Sequence, residues 1–172
     1  MGGANLTVEN VYVDSDVTLS ATDADGNCGG IVGGCYGSAV GVTVKNSVFA
    51  GTINSSGENT GGFVGNGNGK VITISNCMNL GTITSTAEDY CSGFIGRDDN
   101  ASSVIENSVN LGSAKNYTFA GSNSSSKKIT VKDSYYLGTM TNKNVTATNC
   151  TELTEVEQLV RSEEHTSELQ SR

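Results

Sequence analysis

A short Gly-rich unit recurs along the chain, and this recurrence constrains the fold more than any other feature. Gly29-Gly30-Ile31-Val32-Gly33, Gly61-Gly62-Phe63-Val64-Gly65 and Ser92-Gly93-Phe94-Ile95-Gly96 are three copies; Thr118-Phe119-Ala120-Gly121 is a weaker fourth. After each comes a strand-like run that ends in Asn or Asp plus a small residue: Val42–Ser47, Ile72–Cys77, Ser103–Ser108 and Ile129–Ser134. A further segment then carries another Gly, at Gly51, Gly81, Gly112 and Gly138. Partial copies lie at Leu6–Val11 and Val145–Cys150. The resulting Asn/Asp column reads Asn10, Asn46, Asn76, Asn107, Asp133 and Asn149, with spacings of 36, 30, 31, 26 and 16.

A period near 30 residues describes a stack of coils. No single coil can bury its own apolar side chains, but neighbouring coils can. Alternation places Val44, Ile74, Ile105 and Val131 on the inward side of one strand. Val42, Ile72 and Ile129 form a second inward column, with Ser103 as its weak member. Equivalent strands then pair in parallel, about 4.8 Å apart. The Gly columns suit corners that need either positive φ or close backbone approach. The Asn column suits left-handed corners and side-chain ladders, and a structural ladder is preferred to a set of ligand or catalytic Asn residues. The expected fold is all-β: a parallel β-helix or β-solenoid of about four to five coils over residues 1–150. An antiparallel sandwich competes, but gives no reason for the period. Strand order and handedness within a coil stay open.

Composition agrees. The 172 residues include 22 Gly, no Pro and no Trp, with 35% hydrophobic and 16% charged. Gly, Asn, Ser, Thr and Val suit short strands and many turns. No apolar run reaches the roughly 18 residues of a membrane-spanning helix. Net charge is -8 and the pI is near 4.5, which argues against nucleic acid as a partner. The charge is uneven. Residues 1–69 hold Lys45 against Glu9, Asp14, Asp16, Asp23, Asp25 and Glu58, whereas 115–143 hold Lys115, Lys127, Lys128, Lys132 and Lys143 against Asp133. Both patches read as solvated faces.

The end of the chain changes character. Over 151–160, Thr154-Glu155-Val156-Glu157 matches a capping box, with Val156, Leu159 and Val160 at helical spacing. A short helix is expected there, covering the last open coil. Residues 161–171 resemble the translation of a sequencing-library adapter, so 161–172 reads as a non-native tail and is set aside. His165, the single His, lies in that tail. Residues 1–160 therefore offer no His for a Ser-His or Cys-His pair, or as a metal ligand. No signal peptide is read at the N-terminus, which in a fragment does not bear on export.

The repeat resembles the GLUG motif, a Gly-rich repeat of bacterial cell-surface proteins, and the resemblance covers most of 28–140. Gly61–Ile83 carries the pattern best, with Gly29–Ile53 and Ser92–Ala114 close behind. Phe or Ile replaces the family's Leu, and the aromatic after Asn-Ser/Cys is present only as Tyr135. The resemblance implies a β-solenoid segment of an exported, adhesin-like protein, extracellular or on the bacterial surface. Some relatives carry such repeats beside a secreted peptidase, but the His-Glu-x-x-His signature of a zinc peptidase is absent here.

No catalytic, cofactor-binding or metal residue is assigned. Of the five cysteines, Cys28 and Cys91 share a column separated by Thr60, about two strand spacings apart and beyond disulfide reach. Cys77 and Cys150 fall in the small-residue column of Ser47, Ser108 and Ser134. All read as buried free thiols, with a Cys28–Cys35 bridge as the alternative. Asp23-Ala24-Asp25-Gly26-Asn27 matches a calcium loop poorly, because Cys28 and Gly34 stand where Gly and Glu are needed. It reads as a polar turn, and Arg97-Asp98-Asp99-Asn100 as a corner. Asn54, Asn100 and Asn144 begin Asn-x-Ser/Thr triplets that follow from composition.

The sequence thus points to a non-catalytic structural or interaction module, a stalk or adhesion surface. Its expected partners are an unidentified surface ligand, protein or glycan, and neighbouring domains of a longer protein. The alternative is a fragment of a β-helix carbohydrate-active enzyme, whose carboxylates need no His, or the repeat region attached to a secreted peptidase.

Overall fold

In the computed structural model, residues 5–37 and 41–155 are described, and all regular structure among them is strand. The first coil of chain runs through Leu6–Glu9, Tyr12–Val13, Thr18–Ala21, Asn27–Gly29 and Val32–Gly34. The second runs through Gly41–Lys45, Val48–Phe49, Thr52–Ser55, Asn59–Gly61 and Val64–Asn66, and the third through Val71–Ser75, Met78–Asn79, Thr82–Ser85, Cys91–Ser92 and Ile95–Arg97. Equivalent strands of successive coils lie side by side, giving five sheets in which every pairing is parallel. This is an all-β stack of parallel sheets, consistent with the expected β-solenoid and not with an antiparallel sandwich.

The stack tapers. The first and second sheets have six strands, the third has four, and the fourth and fifth have three each. The fourth coil keeps Val104–Glu106, Val109–Asn110 and Ser113–Ala114, then only single bridges at Tyr117 and Ala120. The shorter spacings at the C-terminal end therefore reflect skipped sheets. Where coils shorten, side chains cover the exposed edge. Asn142 Oδ1 accepts the N–H groups of Phe119 and Ala120 at 3.0 and 3.2 Å, and Asn144 Nδ2 donates to Ser122 O at 2.8 Å. These amides satisfy backbone groups that a fuller coil would otherwise pair.

The core is built of columns. Val44, Ile74, Ile105 and Val131 are fully buried, as are Ile72, Ile129, Ile53 and Ile83, and removing each from water contributes about 1.5–3 kcal/mol. Phe63 and Phe94 stack with ring centroids 4.8 Å apart and planes 15° apart, and Phe119 continues the column at 5.4 Å. The ring separation is that of adjacent strands, so the ladder itself sets the stack.

The corners follow the Asn column. Asn10, Asn46, Asn76, Asn107, Asp133 and Asn149 all sit at φ between 48° and 59°. In this left-handed region a Cβ-bearing residue is penalised by about 1–2 kcal/mol, and Asn and Asp are favoured by their local polar contacts. Part of the column is linked by amides, with Asn76 Nδ2 donating to Asn46 Oδ1 at 3.3 Å and Asn149 Nδ2 to Asp133 Oδ1 at 3.1 Å. The next column repeats a two-sided contact. The Ser47, Ser108 and Ser134 hydroxyls each donate to the carbonyl two residues back, at 2.8 Å. They also accept an N–H from the preceding coil, from Val11, Cys77 and Ser108. Cys77 and Cys150 make the same local bond through Sγ.

Most glycines of the repeat serve close approach, and Gly138 alone among them takes a positive φ, 75°. A Cβ on Gly30 would lie 2.2 Å from Gly62 O, one on Gly62 2.2 Å from Gly93 O, and one on Gly93 2.3 Å from Thr118 O. Thr118 ends this column, and its hydroxyl accepts the Thr141 N–H at 2.9 Å.

Among the described residues of 151–160 the expected capping helix is not found. Thr151–Leu153 is a strand, paired in parallel with Tyr135–Leu137, and Leu153 is buried. A free sheet edge beside the Asn149 corner offers this segment ladder hydrogen bonds, and these outweigh a weak local helical preference. Val156, Leu159, Val160 and the 161–172 tail lie outside the described residues.

Two substitutions test the corner and contact rules. Asn76→Gly should change stability little, whereas Asn76→Val should cost about 2 kcal/mol. Gly62→Ala should cost about 3 kcal/mol, because the obstructing atom is backbone. Urea denaturation of the three variants checks the order, and a neutral Gly62→Ala would contradict the packing.

A hydroxyl-lined trough and its flanking polar nodes

The third sheet presents its polar face outward. Leu19, Ile53 and Ile83 align on the core side, so Thr18 and Ser20, Thr52 and Asn54, and Thr82 and Thr84 face out. Thr84 Oγ1 donates to Asn54 Oδ1 at 3.0 Å, joining two coils across this face. The chain leaves the sheet through Ser55 and Ser85, whose buried hydroxyls accept the N–H groups of Gly57 and Ala87 at 2.9 and 3.1 Å. Ser85 Oγ also donates to Gly57 O at 2.9 Å. These bonds hold successive bends in register.

A recess of about 690 Å3 opens over those bends, lined by Thr22, Ser56 and Thr86 and by Asp25, Glu58 and Glu88. A second recess of about 420 Å3 shares Thr22, Ser56 and Thr86 and continues over Ser20, Asn54 and Thr84. Together they form one trough across three coils. Among the described residues Asp25, Glu58 and Glu88 enter no ion pair. Asp25, Glu58 and Glu88 lie in bends of unequal length, so their spacing in sequence does not mark them as neighbours. Only the stacking of the coils shows that they share one flank.

Tyr90 closes one end of the trough. Its φ is 58°, and no other described residue outside Asn, Asp and Gly has positive φ. A bulky side chain there carries strain of about 1–3 kcal/mol. The surroundings hold it in place. Lys143 Nζ lies 4.5 Å and Arg97 Cζ 5.4 Å from the ring centroid, and the phenol donates to Asn123 Oδ1 at 3.0 Å. Both cations are in turn paired, Lys143 with Asp89 at 3.4 Å and Arg97 with Asp99 at 3.0 Å. The node draws on three coils, and nothing in the local sequence around Tyr90 announces it.

Asp98 lies in the segment read as a corner. It is fully buried. Its carboxylate accepts the Ser103 hydroxyl and, at 2.9 Å, the Asp99 N–H. This contact explains why Ser103 interrupts the aliphatic column. Its hydroxyl also accepts the Ile72 N–H at 2.9 Å, so one Ser serves a buried acid and a neighbouring coil. Burial pushes the Asp98 carboxyl up to about 6, against the lowering effect of its hydrogen bonds.

The remaining candidates are structural. Asp23 Oδ1 accepts the Asp25 N–H at 3.1 Å and Asp23 O accepts the Gly26 N–H at 3.1 Å, which makes the loop a polar turn. Among the described residues no group of three His, Cys, Asp or Glu is placed to hold a metal ion. All five cysteines are free, and Cys28 and Cys35 are not bridged. Burial raises every one of these thiols, Cys77 to about 11, which leaves them poor nucleophiles. Lys45–Glu9 at 2.6 Å and Lys132–Glu106 at 2.8 Å join neighbouring rungs of the first sheet. Such exposed pairs contribute at most about 1 kcal/mol each.

Asp98 sets a pH dependence with a defined sign. Its folded pKa lies above its ordinary value of 3.8, so the folded protein holds that proton more tightly than the unfolded chain. The contribution is fully present below 3.8 and is lost as pH rises through about 6. Asp98→Asn, which keeps an acceptor for Asp99 N–H, should therefore gain about 3 kcal/mol relative to wild type as pH rises across those limits. Denaturation curves at both ends check this; parallel pH profiles for the two proteins would contradict it.

Comparison of the chain with protein-family models, curated proteins and solved structures finds no match to any of them.

Proposed function

We propose that the chain is a β-solenoid segment that serves as a non-catalytic structural and interaction module of an exported bacterial surface protein. The observation that carries this reading is the register of the repeat. Over as many as six strands, each residue column pairs with its own equivalent in the next coil. Side chains that would be chemistry-bearing elsewhere, Asn, Ser and Cys, serve here as ladder and corner elements. What such a stack offers is length and a continuous lateral surface, which suits a spacer or a binding face. The resemblance to the GLUG repeat adds the expectation of export and of a bacterial surface. Among the described residues no helix is long and apolar enough to cross a membrane.

Two measurements test the reading. A modular stack tolerates loss of one whole coil. Deleting the 31 residues from Cys77 to Asn107 should leave a cooperatively folding protein with β-type circular dichroism, whereas deleting Cys77–Cys91 should abolish folding. Equal damage from both deletions would count against modular stacking. For location, protease shaving of intact source cells should release peptides from residues 5–155. Recovery of the chain only from the cytosolic fraction would overturn the surface assignment.

A further inference from the structure

We propose that the trough binds a linear β-linked glycan bearing free amino groups, laid along the stacking direction. The proposal rests on the reading of the chain as an interaction module and names the ligand class of its binding face.

The periodicity of the trough supplies the first argument. Each coil contributes one hydroxyl or amide from Ser20, Asn54 or Thr84 and one hydroxyl from Thr22, Ser56 or Thr86, and the bends add Asp25, Glu58, Glu88 and Asp89, the last paired with Lys143. Ser20, Asn54 and Thr84 are register partners, so this polar column recurs at the strand spacing of about 4.8 Å. A β-linked pyranose chain advances by nearly that distance per ring, so consecutive sugars meet equivalent groups. An extended peptide advances only about 3.3 Å per residue and drifts out of step. A peptide that docks on a sheet also needs an open strand edge. Thr52–Ser55 is paired on both sides here, so a peptide could add only at a sheet edge such as Thr18–Ala21, at one end of the trough and not along it.

The chemistry of the lining narrows the ligand. Ionised carboxylates only accept hydrogen bonds, whereas hydroxyls and the Asn54 amide both donate and accept. The ligand must therefore bring donors, and the carboxylate flank favours donors that carry positive charge. Sugar hydroxyls and ammonium groups on one polymer meet both requirements. The same flank repels polyanions such as uronic-acid glycans. With about 690 Å3 in the larger recess and 420 Å3 in the smaller, there is room for a short run of sugar rings.

The test is calorimetric titration of the purified protein with a fully deacetylated chitosan hexasaccharide at low ionic strength, in mildly acidic buffer. The N-acetylated hexasaccharide, an oligogalacturonate and hexalysine serve as comparators. The deacetylated sugar should bind, about tenfold or more tightly than its acetylated form, and should weaken as salt rises. The oligogalacturonate should not bind. Glu58→Gln with Glu88→Gln should weaken binding about tenfold or more, and so should Asn54→Ala with Thr84→Ala. Glu106→Gln, on the first sheet, should leave binding unchanged. Melting curves of each variant exclude unfolding as the cause. Absence of chitosan binding, equal affinity in the trough variants, or hexalysine binding as tightly through the same residues would each overturn the glycan assignment. Protease shaving is independent of ligand, so the surface-module reading stands or falls separately.

Discussion

Everything in this structure depends on parallel pairing that sets each residue beside its own equivalent, about 4.8 Å away. At that distance a column must be made of side chains that tolerate a copy of themselves. Phe63 and Phe94 stack face to face, and the Asn corners donate amide to amide. Ser hydroxyls bond one way to their own coil and the other way to the preceding one. Like charges would repel. In the column Glu9, Lys45, Ser75, Glu106, Lys132 and Thr148, opposite charges alternate or a neutral residue intervenes. Where two backbones must approach more closely still, only Gly fits, and the carbonyl of one coil occupies the place of the missing Cβ in the last.

The same constraint explains where strain and buried polarity collect. The columns satisfy strands readily but leave the corners to be solved one at a time. The six corners of the repeating column use Asn or Asp in the left-handed region, as do the turns at Asn68 and Asn144. The corner after Arg97 instead carries a buried carboxylate, which draws Ser103 into an otherwise aliphatic column. Tyr90 stands beside the trough in a conformation that aromatic residues seldom adopt. Its ring is held between two cations from different coils. Toward the C-terminus the coils skip sheets, and Asn142 and Asn144 supply by side chain the hydrogen bonds of a missing strand.

Much of this was legible in the sequence. Period-two alternation and the repeat together located the inward columns at Val44, Ile74, Ile105 and Val131, all of which are buried. The Asn column identified the left-handed corners, because few other residues bear that conformation cheaply. The Gly columns left two physical explanations open, and only the approach of neighbouring carbonyls chose between them. The helix expected near Thr154 was a local signal overridden by a sheet edge that local sequence does not reveal. The trough escaped notice for a related reason. Asp25, Glu58 and Glu88 sit in bends of different length, so they fall out of alignment in sequence but line one recess once the strands on either side are in register.

Disulfide trapping measures that register directly. Thr52 and Thr82 are partners across adjacent strands and both face outward, within the Cα separation that a disulfide spans. Thr52 and Thr84 are offset by two residues, which places their Cα atoms beyond about 7 Å. Under mild oxidation, Thr52→Cys with Thr82→Cys should cross-link in the folded protein. Thr52→Cys with Thr84→Cys should stay reduced. Peptide mapping identifies the bonded pair. Efficient trapping of the offset pair, or none of the in-register pair, would contradict the stacked parallel register on which the rest of the account stands.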